Sequence, residues 1–121
     1  MLQRIAGERA LELVEYAVEL FETSNASRDL FGNSYLQGKM AQAAALAGRN
    51  ELIPDALTRA AENITPEMSR ELARLAYVNG YVADVQGDAN TARQHYQRVL
   101  ELDPHGTYGR NAARLLQRLD G

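Results

Sequence analysis

His95 and His105 are the side chains of this sequence best suited to moving protons near neutral pH. Catalysis would need one of them to converge with a nucleophile and an orienting group in a common pocket. His95 lies beside Tyr96 in a helix-forming stretch and points to a different face, while His105 follows Pro104 in a turn. Both are expected on the surface. Asp84 and Asp88 stand four apart, a spacing that can bring two carboxylates together, but no third ligand accompanies them. They read as a helix end and a turn. The absence of cysteine excludes disulfides, thiolate catalysis and Cys-ligated zinc. Gly80 and Gly87 do not form a phosphate-cradling loop and are expected to serve helix packing and a turn. No catalytic residue, cofactor or metal ligand is assigned, and the chain is not expected to be an enzyme.

Surfaces are what remain. The formal net charge of −3 offers no general attraction to phosphate backbones or anionic lipid, so neither nucleic-acid binding nor membrane insertion is expected. No apolar run approaches the ~20 residues that span a bilayer. The chain as it stands reads as soluble, and as cytoplasmic if it is the full-length protein. Two charge rows stand out: Arg110, Arg114 and Arg118 in the last helical stretch, and Glu8, Glu12, Glu15, Glu19 and Glu22 in the first. Each is either a solvated face or half of an end-to-end contact, in which the acidic helix of one copy meets the basic helix of another.

The positioning elements are helices. The 45% hydrophobic content is rich in Ala and Leu and poor in β-branched residues, which favours helix because these side chains lose little rotamer freedom there. Apolar residues recur at threes and fours, and strand-like alternation is absent. A first helix is expected from about Gln3 to Thr23. A second follows with Ser27 as N-cap, carries Leu30, Phe31, Tyr35, Leu36, Met40, Ala44 and Ala47, and stops at Gly48. A third covers Pro54 to Asn63, with the proline in its first turn. Thr65 and Pro66 are expected to cap and open a fourth helix reaching Gly87-Asp88. A fifth runs from Ala89 to Leu102 and a sixth from Thr107 to Leu119. Short connections make neighbouring helices antiparallel.

The fourth and fifth helices carry a patterned set: Gly80, the turn Gly87-Asp88, Ala92, Tyr96, and the ending Leu100-Glu101-Leu102-Asp103-Pro104. Small residues at 80 and 92 permit close helix approach, Tyr96 fills the gap behind them, Gly87 supports a backbone conformation other residues resist, and Pro104 stops the helix. This stretch, about residues 74 to 106, resembles the tetratricopeptide repeat, whose glycine, alanine, aromatic, turn and closing proline fall in the same register. Ala76, Asn79 and Ala83 depart from it, standing where the family prefers larger side chains, so this helix is expected to pack through Tyr77 and Tyr81. Upstream, Gly48, Ala56 and Pro66 mirror Gly87, Ala92 and Pro104, with extra residues before Ala56, as in an irregular copy.

The resemblance implies an all-α fold, a TPR-like right-handed α-solenoid of about six antiparallel helices in a single domain. Its parts would be an N-terminal helix (1–26), a degenerate repeat (27–66), the TPR-like repeat (67–105) and a C-terminal capping helix (106–121). Arg114 stands where the preceding repeat has Gly80, so the last helix is expected to end the stack. By the same resemblance the first helices of each pair line a concave groove that binds a peptide or helix of a partner protein. Here that groove would hold Arg74, Tyr77, Tyr81, Asp84, Tyr108, Asn111 and Leu115, with Tyr35 and Gln42 extending it. The Lys and Asn of the family's carboxylate-gripping subclass are not matched, because Tyr77 and Tyr81 occupy their places. The alternative to a groove is a self-associating scaffold or assembly factor, a homo-oligomer joined through the terminal charge rows.

Overall fold

The computed structural model of the protein describes residues 2–23 and 30–120. Among them are six α-helices and no strand: α1 (Leu2–Thr23), α2 (Leu30–Ala47), α3 (Ile53–Ala61), α4 (Ser69–Val85), α5 (Ala89–Leu102) and α6 (Thr107–Asp120). A short 3-10 turn, Asn50–Leu52, precedes α3. Ser27, expected to cap α2, and the side chains of Glu22, Leu30 and Phe31 lie outside the described residues. The chain forms two compact units, Met1–Asn63 and Ile64–Gly121. No described helix is long and apolar enough to cross a membrane.

In the first unit α2 is the central element, with α1 and α3 each packed on it. Its buried residues Ser34, Gln37, Gly38, Ala41, Ala43, Ala44, Ala45 and Ala47 fall on more than one face, as expected of a helix with neighbours on two sides. Apart from Gln37 these are small residues, and they let the helices approach closely. A β-carbon at Gly7 of α1 would collide with the backbone of Leu46 and Ala47, so the two helices cross there. Leu11 and Val18 continue the contact on the buried face of α1. On the other side, the buried Ser34 hydroxyl donates to the Ala60 carbonyl of α3. The extra residues seen upstream of Ala56 are the 3-10 turn, and α3 ends at Ala61 rather than Asn63, whose φ of 67° is left-handed.

The second unit is a hairpin of α4 and α5 with α6 packed on α5 and touching α4. Gln86 and Gly87 turn the chain, with Gly87 at φ 86°; Gly48 takes the matching 75° after α2, so the two paired glycines share one backbone state. Asp88 caps α5 by accepting from the Thr91 N–H at 3.2 Å. Arg93 near the start of α5 pairs with Asp120 at the end of α6 at 2.8 Å, so these helices also run antiparallel. The core consists of Ala73, Ala76, Ala83, Ala92, Tyr96, Val99 and Ala112, covered by Tyr77, Tyr108 and several leucines.

One expected boundary is displaced. Helix α4 begins at Ser69 with Met68 as its N-cap, not at Thr65-Pro66. The Met68 N–H donates to the Thr65 carbonyl at 3.0 Å, closing a turn with Pro66 in its second place. A proline with φ fixed near −65° suits that turn position as well as it suits a first helical turn, and the turn takes it.

Candidate functional site

The residues expected to form a groove come from α4 and α6, and most of them meet on one side of the second unit. Tyr77 is the centre of the group. Its ring lies 6.0 Å from that of Tyr96 and 5.6 Å from that of Tyr108, both tilted, in the range where aromatic edges and faces attract. Tyr96 is fully buried, whereas Tyr77, Tyr81 and Tyr108 are half-buried. Three tyrosines therefore form a floor that is anchored below and open above. Leu115 packs beside it against the same core.

Tyr96 reaches its place because Gly80 has no side chain. A methyl group at position 80 would lie 2.7 Å from Cδ1 and Cε1 of the Tyr96 ring and 3.2 Å from the His95 β-carbon. His95 is thus half-buried against α4 rather than exposed as its turn-side counterpart His105 is. The contact explains why it does not stand free: it directly precedes the tyrosine that the hairpin encloses.

A polar joint closes the site at the end of α4. The Asp84 carboxylate accepts from the Tyr96 hydroxyl at 3.2 Å and from the Arg118 guanidinium, with 17% of its side chain exposed. Asp84 is therefore more than a helix end; it ties α4, α5 and α6 together. Arg114 and Arg118 both lie near Tyr77, and Arg118 near Tyr81, since their charges act on those phenols. Two arginines of the row, Arg114 and Arg118, thus border the tyrosine floor. Arg114 also donates to Asn111 at 3.1 Å. Arg74 is half-buried on α4.

Arg110 opens elsewhere. With Arg70, Ser69, Thr107, Asp103 and Tyr108 it lines a concavity of about 420 Å³ at the first turns of α4 and α6. In the first unit, the exposed Tyr35 carries the Lys39 ammonium 5.4 Å from its ring centre, and Gln42 is half-buried. Glu8 faces Arg49 at 3.9 Å, and Glu15 also feels that guanidinium. Gly7 and Gly109 carry packing duties that no motif announced. A β-carbon at Gly109 would strike the Asp103 carbonyl and the Pro104 backbone, so α6 starts directly on the turn before it. Their only sequence signal is a glycine inside an otherwise helical run.

The site's electrostatics favour neutral phenols. Burial pushes Tyr77, Tyr81 and Tyr96 upward, and Asp84 adds to the rise at Tyr81 and Tyr96. A phenol whose folded pKa exceeds its unfolded value contributes stability that is complete below the unfolded value, about 10, and lost as pH rises through the folded one. An alkaline titration followed by ultraviolet absorbance should therefore contain a late phenolate fraction that appears together with loss of helical circular dichroism. Tyr96→Phe should remove part of that fraction. Complete phenolate formation before any loss of helicity would contradict this.

No known family model, no characterised protein and no solved structure matches the chain. The functional reading rests on this geometry.

Proposed function

We propose that the protein is an interaction module of the tetratricopeptide kind, in which the face built by α4 and α6 receives a peptide or helix of a partner protein. The observation that carries the proposal is the half-buried Tyr77–Tyr108 pair seated on the enclosed Tyr96. Rings held from below lose little entropy on binding and offer large amphipathic contact area, the combination found at energetically dominant interface positions. Arg114 and Arg118 at the border and Asp84 at the end supply polar groups that can orient a bound segment. The glycine–tyrosine clasp, the left-handed Gly87 and the capped α5 support the tetratricopeptide assignment, with α6 as the helix that ends a short right-handed solenoid.

The test is affinity capture from the native source with the wild-type chain and with Tyr77→Ala/Tyr81→Ala, after circular dichroism has shown that the variant keeps its helicity. The partner should be lost with the double substitution and retained with Glu12→Gln/Glu19→Gln. Retention by the tyrosine variant would remove the groove from the account.

A further inference from the structure

Helix α1 is apolar on two opposite sides. One side, with Gly7, Leu11 and Val18, is buried against α2. The other carries Leu2, Ile5, Leu13 and Tyr16, which are 83%, 47%, 71% and 61% exposed. These recur at the threes and fours of one helical face, and Leu20 continues the row. Only Arg9 interrupts it. A row of large apolar side chains left in water along one helix is uncommon in a monomer and marks a contact surface.

Its flank says what the contact is. Glu8, Glu12 and Glu15, with Glu19 next in line, run along one edge of the apolar row, where the single guanidinium of Arg49 faces Glu8 and leaves the edge acidic, while the opposite edge carries Ala6, Ala10 and Ala17. We propose that this face of α1 docks an amphipathic helix of another protein whose apolar stripe is edged by lysine or arginine. The edge argues against two competing occupants, a membrane and a twofold pairing of copies. An anionic membrane surface would be repelled by the glutamates. A second copy in twofold antiparallel pairing would lay one glutamate row beside the other, and in parallel pairing it would meet only alanines. A basic-edged helix satisfies both the apolar row and the charges, and the alanine side lets its backbone approach closely. This surface belongs to the first unit and is independent of the tyrosine face.

The experiment uses the full chain and two synthetic amphipathic peptides with identical Leu/Ile stripes, one edged with lysine and one with glutamate, titrated by fluorescence anisotropy. The lysine-edged peptide should bind, and the glutamate-edged one at least about tenfold more weakly. Leu13→Ser/Tyr16→Ser, at exposed positions that leave the fold intact, should weaken the first peptide by about tenfold, a difference of about 1.4 kcal/mol. Glu12→Lys/Glu15→Lys should invert the preference between peptides. Added salt should weaken the lysine-edged complex. Equal binding of both peptides, no binding of either, or a stable dimer in light scattering that Leu13→Ser/Tyr16→Ser disperses would each overturn the proposal.

Discussion

Replacing Tyr96 by alanine is expected to remove ~3–5 kcal/mol of unfolding free energy, the cost of deleting a buried aromatic side chain. Tyr96 has no exposed surface and is the largest fully buried side chain among the described residues. The buried residues of its cluster are mainly alanines, Ala73, Ala76, Ala83, Ala92 and Ala112, which are too short to reach into the space it would leave. How far Tyr77 and the leucines packed against the cluster relax into that space sets where in the range the loss falls. The substitution also takes a donor from Asp84, though Arg118 remains to pair with it. Tyr96→Phe separates the two contributions: it keeps the ring and should cost only ~0.5–1.5 kcal/mol, the net worth of a hydrogen bond. Denaturant unfolding of the three proteins checks this order. A loss below ~1 kcal/mol for Tyr96→Ala would show that the ring is not the keystone of the second unit.

Substituting leucine for Gly80 is expected to cost ~1–3 kcal/mol through overpacking. Leucine is the better helix former by nearly ~1 kcal/mol, so propensity alone predicts stabilisation; a net loss therefore measures the clash with the ring. The ring cannot swing away, because it is enclosed by the core and its hydroxyl is bonded to Asp84. The double variant Gly80→Leu/Tyr96→Ala supplies the decisive comparison. Leucine should be tolerated far better once the ring is gone, giving a coupling of at least ~0.5 kcal/mol between the two sites. Additive losses would mean that position 80 and the ring do not share one space.

What could be read in the sequence was what local chemistry decides. Six helices follow from spacing and from Ala and Leu content, and α5 was legible almost to the residue, because Asp88 and Pro104 bound it with strong signals. The start of α4 was not, since Thr65-Pro66 suits a turn as well as a helix cap, and only the wider fold decides between them. Gly80 and Tyr96 could be paired because they lie on two successive helices joined by a three-residue turn. Gly7 could not be paired with Leu46 and Ala47 by the same means, because that crossing depends on how α1 lies on α2. The role of Asp84 was hidden for a similar reason: one partner comes from α5 and the other from α6, distant in sequence. The arginine row was visible as a pattern, but its place beside the tyrosines depends on the rotation of α6 about its own axis, which the periodicity of the apolar face sets only coarsely.

The first unit shows the same limit. The offset that relates Ala56 to Ala92 relates Ala60 to Tyr96. Where the second unit has a ring, the first has a methyl group, and the Ser34 hydroxyl approaches closely enough to donate to the Ala60 carbonyl. One unit is held by an enclosed aromatic and the other by small residues in close contact, so a motif built on the aromatic finds only the former.

The tyrosine floor is the feature on which the proposed binding role depends, and nuclear Overhauser contacts among side chains in the free protein in solution test it most directly. The Tyr77 ring protons should show contacts to both the Tyr96 and the Tyr108 rings, and the Tyr96 ring to the Gly80 α-protons. A Tyr77 ring with contacts to neither tyrosine, or a Tyr96 ring remote from Gly80, would contradict the account.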